Sequence, residues 1–578
     1  MRRMEQQTER GIGDTAGRQR PWGRGRRLAV SLPIFIMLMG LLVTISNLTT
    51  VQWDNEPTGQ TIETLTPDTA VTFAAPAGTT LPGNGSYEVR GTRATIDAER
   101  PSTGEVETLG VIIREPVGAP DARPGVVFMH GAGYGTAENS FGDVATAMAS
   151  AGFVTAVIDK PVWSTNDLTR DYPASALAYD QAIDLLRARG DVDPAKVGIY
   201  ATSESTWISG YLLEHDPDVA FQILLSPMVY SPRQALGFFI SQDFALVGAH
   251  DGYQSIVRRL FNVDSDLFGL TNFDVSVLKP STYSIPTFIA YGSKDVMTAQ
   301  VEGAEAMVHE ARRAGNRDVT IRSYPIANHV LRLGDEAETG TPFADAYVDD
   351  MIDWAVGTSR GLEQTSERVG GATIYQSIAV PRHLEASRVG TIYGLGVHLM
   401  MVMSLVAAMV VGLVALVRAI RWRLGRRDRL GGRDRRGPAL GFAHGFGGVL
   451  LTLTLATLAT MIIFAAGLGQ VIMGVVHLAW GAAPAEDPGV MWWSWPVIQI
   501  VCTLVVWAWS RVLGRLIEVA SQRGIVRWPP SRGAIRDIIT GVEPVLASTR
   551  LARVLFWTTA FAMFSVLLVF AFWGLFVY

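Results

Sequence analysis

Lys196-Val-Gly-Ile-Tyr-Ala-Thr-Ser-Glu-Ser-Thr206 decides how this chain is read. Residues 197–201 form a short apolar run suited to a buried strand. The small polar residues after it predict a sharp turn into a helix. Ser203 sits at the tip of that turn. A serine there has its hydroxyl pushed clear of the sheet, on strained backbone that small neighbours must permit. The usual spacing is G-x-S-x-G. Here Ala201 and Ser205 stand in the glycine positions, and both are small enough to leave room. A polar turn in a Ser/Thr-rich loop is the competing reading of this stretch taken alone.

Two downstream stretches narrow the choice. Pro286-Thr-Phe-Ile-Ala-Tyr-Gly-Ser-Lys-Asp295 is an apolar strand that ends in Gly292 and then Asp295. Val319-Thr-Ile-Arg-Ser-Tyr-Pro-Ile-Ala-Asn-His329 is another strand, running into a loop with His329. Upstream, Gly125-Val-Val-Phe-Met-His-Gly-Ala-Gly-Tyr-Gly135 is a strand followed by a glycine-rich loop. The order Ser, Asp, His, each just past the carboxyl end of a strand, resembles the α/β-hydrolase superfamily. The nearest look is the esterase and peptidase branch that carries a Ser-Glu pair at the elbow. The resemblance covers about residues 85–360.

That resemblance implies an α/β fold, with a mostly parallel sheet, helices on both faces and a cap insertion. It implies a triad of Ser203, Asp295 and His329, and an oxyanion hole made by the backbone N–H groups of Ala132 and Glu204. No cofactor and no metal are called for. Ser203 would attack an acyl carbonyl, His329 would take and return its proton, and Asp295 would orient the imidazole. His130 reads as a structural loop residue and Glu204 as a residue used through its backbone. Asp251 is a lesser candidate for the acid, because it lacks a strand-end context.

At 578 residues the chain is too long for one ordinary domain. Its mean hydropathy is +0.22, and the apolar excess lies at the two ends. Residues 1–27 are polar and basic, and read as a disordered cytoplasmic tail. Residues 28–48 are long enough to cross a bilayer as a helix and lack an A-x-A-like cleavage site, so they predict an uncleaved anchor. Residues 49–84 are expected to be a linker, 85–360 the hydrolase domain with a cap at 228–284, and 361–390 a second linker. Residues 391–578 are expected to be a helical membrane region with cytoplasmic loops at 418–438 and 511–553.

The apolar stretch 440–480 is about twice the length one span requires. Counting it as one crossing, with a re-entrant or interfacial piece near 467–480, keeps the arginine-rich loops inside. The chain then crosses five times, in a bacterial type of plasma membrane, with the N-terminus cytoplasmic and the hydrolase domain extracytoplasmic. His398, His444, His477, Gln470 and Gln499 within the spans read as interhelical hydrogen bonding rather than a transport pathway.

Residues 54–388 hold 24 Lys and Arg against 44 Asp and Glu, while the whole chain carries a net charge of −5. An acidic middle excludes nucleic acid as its partner. The single cysteine, Cys502, excludes an intramolecular disulfide and a cysteine metal cluster. The expected partners are therefore the lipid bilayer and an acyl-ester substrate, possible forms being a membrane lipid or glycolipid. An acyltransferase with the same triad, and a non-catalytic hydrolase fold that serves as a binding module, are the two alternatives.

Overall fold

The structure, a computed structural model, describes residues 21–53, 57–163, 170–276, 278–334, 340–384, 386–427, 439–481, 489–526, 533, 536, 540 and 546–578. Of the disordered tail expected over residues 1–27, residues 1–20 lie outside the described residues and 24–27 already begin a helix; residues 428–438, 482–488 and most of 527–545 also lie outside. In chain order the elements are α1 (Arg24–Leu48), β1 (Pro57–Ile62), β2 (Val89–Arg100), β3 (Glu105–Pro116), β4 (Arg123–Met129), α2 (Gly142–Ser150), β5 (Val154–Ile158), α3 (Tyr172–Arg187), β6 (Val192–Thr202), α4 (Ser205–His215) and β7 (Gln222–Leu225). There follow α5 (Pro232–Leu246), α6 (Asp251–Phe261), β8 (Thr287–Gly292), α7 (Gln300–Arg313), β9 (Val319–Tyr324), α8 (Tyr347–Ser359), β10 (Val369–Gly371) and β11 (Ile374–Ile378). Four long helices close the chain: α9 (Arg388–Arg427), α10 (Phe446–Ala479), α11 (Gly489–Gln522) and α12 (Arg550–Phe572).

The chain divides into two units. One comprises Val51–Arg388 with Gly469–Trp492, and the other Met1–Thr50 with Val389–Leu468 and Trp493–Tyr578. The first is built on a nine-stranded sheet ordered β10-β9-β8-β7-β6-β4-β5-β3-β2. The strands from β4 to β10 run parallel, and β3 and β2 add an antiparallel edge. This is the α/β-hydrolase architecture. Successive residues of β4 serve opposite faces: Val127 and Met129 join the core under α3, α4 and α7, while Val126 and Phe128 join the core under α2 and α8. A strand buried on both faces must be apolar throughout, so its sequence shows a continuous run rather than alternation. β2 and β3 stay paired along their whole length, from Val89–Pro116 to Arg100–Glu105.

Two stretches expected to be linkers belong to this unit. β1 pairs antiparallel with β11, and β10 extends the main sheet. The fully buried Arg322 explains part of the ordering. Its guanidinium donates to the carbonyls of Thr69 (2.7 Å) and Glu367 (2.8 Å), one in each stretch. A buried guanidinium needs such acceptors, and a composition-based reading of a Thr/Pro-rich segment cannot see them.

The insertion between β7 and β8 contains α5, α6 and three short 3-10 turns. Buried Arg233 ties it together by donating to Asp274 (2.6 Å), the Val263 carbonyl (2.9 Å) and Ser265 Oγ (2.8 Å). Its apolar side chains are used in packing: Phe238 lies with Ile378 and Val380, and Phe261 meets Trp53 edge to face.

Among the described residues, five helices are long and apolar enough to cross a membrane: α1, α9, α10, α11 and α12. α10 is one continuous helix of 34 residues, so of the re-entrant or interfacial piece expected near 467–480 the re-entrant form is ruled out. At 1.5 Å per residue it measures about 50 Å, longer than the roughly 30 Å hydrocarbon core. Contacts within the helical unit sort the helix ends into two sets. At one end Arg27 and Trp22 N–H bond Glu518, the His444 carbonyl accepts from Arg515, and Thr549 reaches Leu440. At the other, Ser46 donates to Ala571, Gly394 lies against Phe572, and Gln499 donates to Val577. His398 sits in this second set, bonded to the Gly394 carbonyl (2.7 Å) and to Trp573 Nε1–H (2.9 Å).

Candidate active site

The carboxyl ends of β4, β6, β8 and β9 converge on one open cleft of about 740 Å3. His130, Gly131, Ala132, Ser203, Met297 and His329 are among its lining residues. A crevice where adjacent strands β5 and β6 leave β4 on opposite sides is the general ligand site of open parallel sheets.

Ser203 follows β6 directly and has φ 53°, in the left-handed region that a non-glycine residue enters only under constraint. Its N–H donates to the Leu225 carbonyl (3.0 Å), and the Thr206 N–H returns to its carbonyl (2.9 Å). Ser205 shows why this elbow works without its second glycine. Its buried Oγ accepts from the Thr202 N–H (2.7 Å) and donates to the Met129 carbonyl (2.9 Å), so it is a structural tie between turn and strand.

Asp295 and His329 meet across the ends of β8 and β9, with His329 Nδ1 3.0 Å from Asp295 Oδ1. Both side chains are buried. Asp295 also accepts from the Met297 N–H (2.8 Å) and from the Thr298 hydroxyl. Burial raises its carboxyl, but the charge and hydrogen bond of His329, with the bonds from Thr298 and Met297, outweigh burial. The carboxyl therefore lies below the usual aspartate range and remains ionised at neutral pH. Gly292, at the end of β8, lets these two loops touch: a Cβ there would lie 2.2 Å from the Asn328 carbonyl oxygen. Asp251 is exposed in the first turn of α6 and makes no bond to His329 among the described residues.

Of the two expected oxyanion donors, Glu204 follows Ser203 directly and Ala132 lines the same cleft as Ser203. Among the described residues, neither the Ala132 nor the Glu204 N–H is bonded to an acceptor. Glu204 opens α4, where a helix N-terminus favours negative charge. Its carboxylate is committed elsewhere, to Lys160 Nζ (2.7 Å) and Arg170 Nε (3.3 Å). His130 Nε2–H donates to the Ile158 carbonyl (2.6 Å), and burial lowers its pKa to about 4, so it is a neutral loop anchor.

The cleft wall differs from the one expected. Among the described residues, none of 228–284 lines it. Phe141, Phe343, Ala479 and Trp480 do, the last two from the carboxyl end of α10 and just beyond. Gly481, at φ 95°, passes so close to Gly334 that a Cβ would lie 2.5 Å from its carbonyl oxygen. A long apolar helix gives no sequence signal that its last residues pack at this cleft.

Sequence reasoning also missed Asp243 on α5. It is fully buried, and neither carboxyl oxygen is hydrogen-bonded among the described residues. Burial and then the charge of Asp295 push it up from 3.8 to about 9, so it is neutral at pH 7. The folded protein thus holds a proton that the unfolded chain releases between these values, and stability falls as pH rises through that window. We expect Asp243→Asn to flatten this decline. The solubilised full chain should melt higher than wild type at pH 8, and the gap should close toward pH 4. Parallel melting curves across that range would refute the buried proton.

No known family profile matches the chain, and no curated protein matches it in sequence. Solved structures resemble part of it. They include brefeldin A esterase, a bacterial homologue of human hormone sensitive lipase, at 15% identity and TM-score 0.34, covering 50% of this chain and 82% of that one. Carboxyl esterase 2 of Tuber melanosporum matches at 15% identity and TM-score 0.35, covering 51% and 91%. A dipeptidyl aminopeptidase IV-like protein from Bacteroides ovatus matches at 14% identity and TM-score 0.33, and the chain spans only 36% of its length. At this level of likeness, the chemistry has to be read from the geometry of the cleft itself.

Proposed function

We propose that this protein is a membrane-anchored serine hydrolase that cleaves an acyl ester through an acyl-enzyme. The observation that carries the reading is the convergence of a left-handed Ser203 and an Asp295–His329 pair on one cleft beside two amides with no acceptor among the described residues. Ser203 Oγ attacks the ester carbonyl as His329 takes its proton. The oxyanion is held by the Ala132 and Glu204 amides, each typically contributing about 2.7–4 kcal/mol to the transition state. His329 then protonates the leaving alkoxide, and water repeats the sequence in reverse to free the acid. Phe141, Phe343, Met297 and Trp480 in the cleft wall favour an amphipathic acyl lipid as substrate. Fluorophosphonate labelling of native membranes tests this reading. The adduct should map to the peptide holding Ser203, and its absence would overturn the assignment.

The helix ends support a hydrolase domain outside the cell. Arg27, Arg515, Arg550 and Arg553 belong to the same set of ends, which the positive-inside rule places in the cytoplasm. α1 then exports residues 51–388 and α9 returns the chain. With Cys502 replaced by Ser, a membrane-impermeant maleimide on intact cells should label Ser102→Cys and leave Ser548→Cys unmodified. Labelling of the second site before lysis would reverse the topology.

A further inference from the structure

Resting on the hydrolase reading above, we propose that Lys160 is a positioning residue that braces both halves of the oxyanion hole from beneath. It lies just past the end of β5, is only 6% exposed, and does not line the catalytic cleft. Its Nζ donates to the Gly131 carbonyl (2.5 Å) and to Glu204 Oε2 (2.7 Å). Those two acceptors belong to the two turns that carry the donor amides.

The Gly131 carbonyl shares a peptide plane with the Ala132 N–H. A trans peptide points these groups in opposite directions. Holding the carbonyl down toward Lys160 therefore aims the Ala132 N–H up, toward the cleft that Gly131 and Ala132 line. The ammonium also polarises that peptide, which strengthens its N–H as a donor. On the other side, Glu204 carries the second donor on its backbone and is held through its carboxylate. Arg170 bonds the remaining oxygen (3.3 Å). The pair is enclosed. The space behind it is a cavity of about 30 Å3, room for little more than a water, lined by Arg100, Lys160, Arg170, Asp171, Tyr172 and Glu204. One ammonium and one guanidinium against one carboxylate leave a net positive charge beneath the point where the oxyanion develops.

A buried pair of this kind also raises a structural alternative. Lys160 could serve only to neutralise Glu204, since removing one partner leaves an uncompensated buried charge. The two roles separate in variants. Lys160→Met should lower kcat on a p-nitrophenyl ester by roughly 10–100-fold, as a donor slightly misplaced from the oxyanion does, with KM changed less than about threefold. The affinity for a trifluoromethyl ketone, which binds as an oxyanion on Ser203, should fall in proportion to kcat. Lys160→Met/Glu204→Gln removes both charges, and should regain the melting temperature of wild type while remaining as slow as the single variant. Lys160→Arg, which keeps charge and donors, should recover part of kcat. A double variant restored to wild-type turnover overturns the proposal and leaves Lys160 as a mere counter-ion. Unchanged ketone affinity in Lys160→Met overturns it as well. Wild-type membranes that fail to label with fluorophosphonate remove the hydrolase reading itself, a result that none of the variant comparisons can produce.

Discussion

Ser203→Ala should abolish fluorophosphonate labelling and lower kcat by about 10⁴–10⁶-fold, while the protein folds and melts as wild type does. The size of the loss follows from the division of labour. Without Oγ no acyl-enzyme forms, and only the oxyanion amides and substrate binding remain to favour attack by water. The stability expectation follows from the backbone. Ser203 is held at φ 53°, a strain that alanine shares, and among the described residues its side chain enters no hydrogen bond. His329→Ala should cost nearly as much, because the triad members act as one unit. Ser205 offers the contrasting control. It is bonded to Met129 and Thr202, so Ser205→Ala should lower the melting temperature and leave labelling at Ser203 in place. Full labelling of Ser203→Ala, measured by in-gel fluorescence, would move the nucleophile elsewhere.

Asp295→Asn should reduce kcat by about 10⁴-fold with little change in KM. Asp295 Oδ1 faces His329 Nδ1 at 3.0 Å, and the Met297 N–H at 2.8 Å already occupies the same oxygen. The asparagine can keep its oxygen in that place and turn its NH2 to the Thr298 hydroxyl, or reverse and set its NH2 against both the Met297 N–H and the imidazole. Turned toward His329, the amide N–H selects the tautomer that carries its proton on Nε2, where Ser203 needs an acceptor. The lost charge also removes the partner that stabilises the imidazolium. Steady-state kinetics on a soluble ester, with labelling rates measured in parallel, check the prediction. Activity within tenfold of wild type would assign the orienting role to another residue.

The proposed triad stands out in the sequence because each member ends an apolar strand in an order that few arrangements share. Pro286 to Asp295 and Val319 to His329 announce themselves as strand, then turn, then reactive side chain. Lys160 shares that context, just past the apolar 154–158 run, yet a lone lysine at a strand end has no signature. Its meaning comes from Gly131 and Glu204, which are distant in sequence and adjacent only once β4, β5 and β6 lie side by side. The linkers misled for a similar reason. Thr- and Pro-rich composition describes what a segment lacks, whereas β1 and β10 are ordered by partners elsewhere, β11, β9 and the Arg322 guanidinium. The insertion expected to be a cap has its large side chains committed to packing: Phe238 lies against Ile378 and Val380, and Phe261 against Trp53.

The pairing of β1 with β11 has a mechanical consequence. Pro57 lies opposite Ile378, so the two ends of the stretch 57–378 stand a single strand spacing apart, about 4.8 Å. The Ile62–Ile374 pair closes the inner end of the same ribbon. The stretch that carries Ser203, Asp295 and His329 is thus a loop clasped at its own neck, and a break in the backbone inside it would leave the two halves held together by the rungs of the clasp.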